Sequence, residues 1–308
     1  MHCNKALKLD KKGMFSEAEK EYFKALQLNP GDPYALYNLG CHYRENNDKK
    51  AYLYHKMFLV IYESFENLSF KDPDQMKADT FETYRRYYIE SEDMGIMLSC
   101  AADTLNLMDD PKAKNFLRKA VRLSPDSAPV RYNMGIYYLN KEYYEDALKE
   151  FQKAHVINPD DPNTIVNIGH CLCYMNMREE EANLYEEYLK NHQPTVEILT
   201  HLSFAYLDLD RYDYAVISFR EYASSLPDSA EAHAGLALVY AHKGWKNESY
   251  KEIEVARQLN ATAHDEMAEE LIHDALEILE DPDNDPARIL LLLLLLARMN
   301  ARRRMQKI

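Results

Sequence analysis

Apolar residues return every three or four positions through most of this chain, the spacing of one buried helical face. The pattern is clearest over residues 128–161, APVRYNMGIYYLNKEYYEDALKEFQKAHVINPDD, which reads as two helices joined by a turn. Small residues mark where the two helices touch: Gly135 lies on the first and Ala147 opposes it on the second. Tyr138, Phe151 and other large residues fill the remaining space, and Ala154 continues the stripe. Asn158-Pro159-Asp160 stops the second helix, because proline cannot continue it and the residue before proline avoids the α region. Asp161 then suits the N-cap of a following helix, with Pro162 just inside it.

The same order returns in register. Gly135 and Gly169 stand 34 residues apart, as do Ala113 and Ala147, and Pro125 and Pro159. A small-and-large pattern repeated at this period, closed by proline, resembles the tetratricopeptide repeat, a helix–turn–helix unit. The resemblance implies an all-α, right-handed superhelical solenoid with C-terminal capping helices. Each repeat packs mainly on its neighbours, so the array behaves as one elongated domain.

Taken in order, residues 1–67 read as two repeats. The first carries Gly13, Phe15, Ala18, Tyr22, Ala25 and Pro30. The second carries Asp32-Pro33, Asn38-Leu39-Gly40 and Tyr43, then departs: Ala51 falls one residue early, and His55 and Phe58 stand where small residues belong. Residues 68–93 break the period and read as a non-repeat helical insertion, with a polar, Tyr-rich helix over 78–92; the alternative is a third, decayed repeat. Five repeats follow over 94–263, with first helices starting near Met94, Ala128, Pro162, Val196 and Ala230. One amphipathic helix over 262–280, assigned as a cap from residue 264, places Met267, Leu271, Ala275 and Leu279 on one face. Residues 281–308 comprise an acidic linker, a Leu-rich helix from Ile289 to Ala297 and a basic tail. Nine apolar residues make about 13 Å of helix, whereas a membrane span needs about 20 residues. The run therefore suits burial against the final repeats, pairing in a homodimer through residues 289–297, or dipping into a membrane surface with the following arginines holding anionic lipid.

Charge and chemistry narrow the function. A net charge of −14 spread along the array argues against a nucleic-acid surface, which needs a basic stripe. It argues equally against the related pentatricopeptide RNA readers. Five cysteines, an odd number placed on helices, suggest free thiols in a reducing compartment, hence a cytoplasmic protein. Cys171 and Cys173 point to different helix faces, and the histidines are scattered, so neither a metal nor a cofactor is expected. The acidic linker resembles a calcium loop, but Pro286 stands where such a loop needs Gly and Leu292 where it needs Glu. No phosphate loop, nucleophile elbow or zinc-protease motif appears. The chain reads as a non-enzyme.

The resemblance implies that first helices line a concave groove. Two residues before the small motif position stand Asn4, Asn38, Asn133 and Asn167, followed in other repeats by Ser99, His201 and Gly235. An asparagine carries donor and acceptor together, so a row of them can hold an extended peptide by its main chain. The row resembles the asparagine ladder in the repeat domain of O-GlcNAc transferases; the alternative is that Asn is simply common at this position in the family. Tyr34, Tyr37, Tyr132, His170, Tyr174 and Phe204 are the neighbouring groove positions and offer stacking area. A carboxylate clamp for chaperone tails needs Lys and Arg on a third helix. With Asn133 as its middle residue, this chain offers Asn163 and Asn167 there, and Leu98 and Ala102 on the helix before. The expectation is a scaffold or adaptor binding an extended segment of another protein. The alternatives are a peptide-sensing switch and a structural subunit that self-associates through its Leu-rich helix.

Overall fold

The structure is a computed structural model that describes residues 2–44, 47–71 and 92–280. Among these residues there are fifteen α-helices and no strand. They run as α1 (His2–Asp10), α2 (Phe15–Leu28), α3 (Pro33–Tyr43), α4 (Asp48–Lys71), α5 (Glu92–Leu107), α6 (Ala113–Leu123), α7 (Ala128–Asn140) and α8 (Tyr144–Ile157). Then come α9 (Pro162–Tyr174), α10 (Arg178–Leu189), α11 (Val196–Asp208), α12 (Tyr212–Ser225), α13 (Ala230–His242), α14 (Lys246–Ala263) and α15 (Glu266–Glu280). The fold is all-α, built from helix–turn–helix pairs. Two compact units follow the chain, Met1–Cys171 and Leu172–Ile308.

Local chemistry sets the ends of each pair. Four first helices, α3, α9, α11 and α13, are entered through a side-chain cap. Asp32 accepts from the Ala35 N–H (3.0 Å), Asp161 from Thr164 (3.1 Å), Thr195 from Ile198 (3.3 Å) and Ser229 from Ala232 (3.2 Å). Six, α1, α5, α7, α9, α11 and α13, are left through one left-handed residue. Asp109, Glu142, Asn176, Asp210, Gly244 and Gly13 all have φ between 54° and 73°. The next N–H reaches back to close the helix end, as from Tyr143 to the Tyr138 carbonyl (2.9 Å) and from Trp245 to Tyr240 (2.8 Å). Each turn is thus short, and the second helix folds back on the first.

Small residues let large ones enter between paired helices. A Cβ on Gly135 would lie 2.6 Å from the Phe151 ring, so this ring, rather than Ala147, is what Gly135 accommodates. In the first unit, Ala6, Ala18, Tyr22, Leu39, Tyr43 and Ala51 form one core. A larger core joins α3–α7 through Leu36, Phe58, Leu98, Phe116 and Val130. In the second unit, Ala234, Ala237 and Leu238 of α13 pack with Ile253 and Ala256 of α14. Helix α15 covers that face with Ala268, Leu271, Ile272, Ala275 and Leu279.

Two expectations are corrected at this end. The last helix starts at Glu266, because α14 continues through Ala263 and breaks at His264, which is left-handed with φ 53°. Its buried stripe takes Ala268 and Ile272, and Met267 faces solvent. Of the expected insertion, residues 68–71 belong to α4 and 92–93 to α5. Residues 72–91 and 281–308, with the expected polar helix, acidic linker, Leu-rich helix and basic tail, lie outside the described residues.

Candidate functional site

Asn38 on α3, Asn133 on α7 and Asn167 on α9 each sit on the first helix of a pair in the first unit, and each is half-buried. Each side-chain amide donates at least one hydrogen bond within or along the row. Asn133 donates to the Ser99 hydroxyl at 2.9 Å, one register position back on α5. Asn167 donates to the Tyr132 hydroxyl at 3.0 Å and to the Asn163 carbonyl at 2.9 Å. Asn38 donates to the Tyr34 carbonyl at 2.7 Å and lies 3.8 Å from the Cys3 sulfur. The row is therefore a set of ties within and between consecutive first helices. Among the described residues the Asn133 and Asn167 side-chain oxygens accept no hydrogen bond. Asn4 is exposed on α1.

The aromatic positions divide. Tyr34 is half-buried against the larger core of the first unit. Tyr37 packs between His55 (5.7 Å) and Phe58 (5.8 Å), so it belongs to the helix interface more than to a ligand surface. Tyr132 rests edge-on against Phe151 at 5.5 Å, and His170 is half-buried, which lowers its pKa. In the second unit Tyr174 is 63% exposed and offers an open face. His201 stacks on Tyr185 with its Nδ1 4.0 Å from buried Glu181, and Phe204 meets Phe219 edge-on at 5.3 Å. Gly235 has a packing reason: a Cβ there would meet the Phe219 ring at 2.2 Å. At the chaperone-clamp positions Leu98 and Ala102 are fully buried, so they present nothing to a ligand.

A second constellation corrects the expectation of scattered histidines without metal geometry. Cys41 on α3, His55 on α4 and Cys100 on α5 converge, with their ligand atoms all within 4.8 Å of one another. The two sulfurs are 3.9 Å apart, and His55 Nε2 is 3.7 Å from Cys41 Sγ. His55 Nδ1 lies 2.9 Å from the Thr104 hydroxyl. Burial, with Arg44 close by, pushes His55 down to about 4, so the ring is neutral. The Arg44 guanidinium donates to Cys100 Sγ at 3.3 Å and is itself held by Asp103. The sequence carried one signal for this site. His55 fills the space that Phe151 fills above Gly135, since a Cβ on Gly40 would lie 2.1 Å from the His55 ring. A histidine at the aromatic core position is the anomaly. Its meeting with Cys100, across the irregular segment, is not readable from any period.

Among known proteins, the family model of the tetratricopeptide repeat matches residues 128–161. Anaphase-promoting complex subunit 3 of Schizosaccharomyces pombe is 24% identical over 174 residues, 56% of this chain and 25% of that protein. The Hsp70-Hsp90 organising protein of Plasmodium falciparum is 26% identical over 166 residues, 50% of this chain and 28% of that protein. The chain thus spans about a quarter of the length of these curated relatives. A solved structure of pilF from Pseudomonas aeruginosa matches with a TM-score of 0.56 at 17% identity, over 77% of this chain and 95% of that one. YrrB, described as a TPR protein with an unusual peptide-binding site, matches at 0.52 and 17% identity, over 65% and 97%. These structural likenesses are of fold.

Proposed function

We propose, from the premise that this chain is a tetratricopeptide-repeat protein, that its first-helix row holds an extended segment of another protein. The repeat fold supports a protein-interaction scaffold, and the finer reading concerns how a partner is gripped. The observation that carries it is the asymmetry of the asparagine row. The N–H groups of Asn133 and Asn167 are tied to Ser99, Tyr132 and the Asn163 carbonyl, while their oxygens accept nothing among the described residues. Ties of this kind fix the amide planes in advance, which lowers the ordering cost on binding. Fixed acceptors at repeat spacing suit the backbone N–H groups of an extended segment, which carries such donors along its length. Tyr132 and His170 flank them with amphipathic surface, and the net charge of −14 favours a basic or neutral segment over an acidic one. No helix among the described residues is long and apolar enough to cross a membrane.

The test begins with capture of partners on the full chain and on the Asn133→Ala, Asn167→Ala double variant. Calorimetry follows with a synthetic peptide covering the captured segment. Each lost neutral hydrogen bond is expected to weaken binding by about 0.5–1.5 kcal/mol. The Ser99→Ala variant separates the two roles of Asn133: it removes the tie and leaves the acceptor. Equal affinity for wild type and the double variant overturns the reading.

A further inference from the structure

We propose that Cys41, His55 and Cys100 form a binding site for a thiophilic divalent cation, Zn²⁺ in the first place. Zinc takes sulfur at about 2.3 Å and imidazole nitrogen at about 2.0–2.1 Å in a tetrahedron. Those bonds put two sulfurs about 3.8 Å apart, and sulfur and nitrogen about 3.5 Å apart. The observed Sγ···Sγ separation is 3.9 Å, and Cys41 Sγ to His55 Nε2 is 3.7 Å. Two of the three edges of one tetrahedral face are thus matched, and all three ligand atoms, from three helices, lie within 4.8 Å of one another.

The surroundings match what a ligated site requires. A metal-binding histidine needs its second nitrogen anchored, because that bond fixes ring orientation and tautomer. The Thr104 hydroxyl, 2.9 Å from His55 Nδ1, is such an anchor, and it leaves Nε2 3.7 Å from Cys41 Sγ. Two metal-bound thiolates need a nearby positive charge or hydrogen-bond donor. Arg44 supplies both at Cys100 and is positioned by Asp103. Two sulfurs and one imidazole favour zinc over magnesium or calcium, which prefer oxygen. The three protein ligands leave a fourth position for solvent or an external donor. A cation here would join α3 and α4 to α5, across the stretch where the repeat period fails.

The experiment uses the reduced full chain, stripped of metal and titrated with Zn²⁺ against a chromophoric chelator. One zinc per chain is expected, with a dissociation constant below micromolar and a higher melting temperature in its presence. Co²⁺ in place of zinc should give thiolate-to-cobalt charge-transfer bands and the strong visible bands of a tetrahedral ion. His55→Phe is the informative variant. Phenylalanine is the residue that packs above Gly135 in α7–α8, so the variant should fold while losing at least tenfold in zinc affinity. Cys41→Ser and Cys100→Ser should abolish the charge-transfer bands, and Thr104→Val should cost about 10–100-fold in affinity. Replacing Cys171 and Cys173 by Ala should change none of these readouts. The proposal is overturned by absence of stoichiometric zinc binding, by undiminished binding in folded His55→Phe, or by a Cys41–Cys100 disulfide in the protein isolated under reducing conditions.

Discussion

The left-handed residue that ends six of the first helices, α1, α5, α7, α9, α11 and α13, shows how much one position carries. At φ near +60° a Cβ crowds the backbone, a cost that Gly escapes and that Asn and Asp bear best. Asp109, Asn176, Asp210 and Gly244 fit that preference, and Glu142, at φ 60°, does not. Glu142→Gly should therefore raise stability by about 1 kcal/mol, and Gly244→Ala should lower it by a similar amount. Denaturant midpoints at constant slope measure both, and equal midpoints would remove the strain argument. A second residue-scale effect is electrostatic. Lys24, then His2 and Lys5, bind the Glu21 carboxylate and hold it at about 2, below its ordinary 4.5. A depressed carboxylate stabilises the fold above its unfolded value, and that contribution is lost as pH falls from about 4.5 toward about 2. Glu21→Gln should remove this part of the acid sensitivity, seen as a flatter loss of α1–α2 exchange protection across that window. An unchanged pH profile would show that the three contacts carry no linkage.

At the scale of elements, helix pairs are specified by what stands opposite the small positions. Gly135 admits the Phe151 ring, and Ala147 is fully buried beside it on α8. Gly135→Leu and Ala147→Leu should each overpack the α7–α8 pair and destabilise by roughly 1–3 kcal/mol. A thermal midpoint unchanged in both would contradict the packing. The helix starts at Pro33, Ala128, Pro162, Val196 and Ala230 were legible because each follows a polar residue, Asp32, Ser127, Asp161, Thr195 or Ser229, with Pro at N1 in the first and third, and this is local chemistry. The ending of α14 was not. Asn260 there bonds the Asp265 N–H at 2.6 Å, which stops the helix without any proline in the position where the period calls for one. The stripe on α15 keeps the expected Leu271, Ala275 and Leu279 and adds Ala268 and Ile272, while Met267, in the first turn, faces solvent. In the candidate site, the asparagine positions were legible from the period. Their donors' engagement with Ser99 and Tyr132 was not, since it depends on how neighbouring repeats stack. The Cys41–His55–Cys100 meeting was hidden for the same reason, with the added break in register before Glu92.

On the scale of the whole chain, a repeat protein differs from a globular one in how far a local injury spreads. Each pair draws its stability from its own helices and from the pairs beside it, so energetic coupling is to nearest neighbours. Among the described residues helix α15 packs on α13 and α14, through a face of Leu271, Ile272, Ala275 and Leu279. It should act as a local brace for the last pair. Leu271→Ala with Ile272→Ala removes two nearly buried side chains. Full burial would make each deletion cost about 2–5 kcal/mol. The loss should appear as faster amide exchange in α13, α14 and α15, while α7 and α8 keep their protection. Hydrogen-exchange mass spectrometry of the full-length double variant decides. If exchange rises equally in α7–α8 and α13–α15, the chain unfolds as one cooperative body. The nearest-neighbour account of its stability would then be wrong.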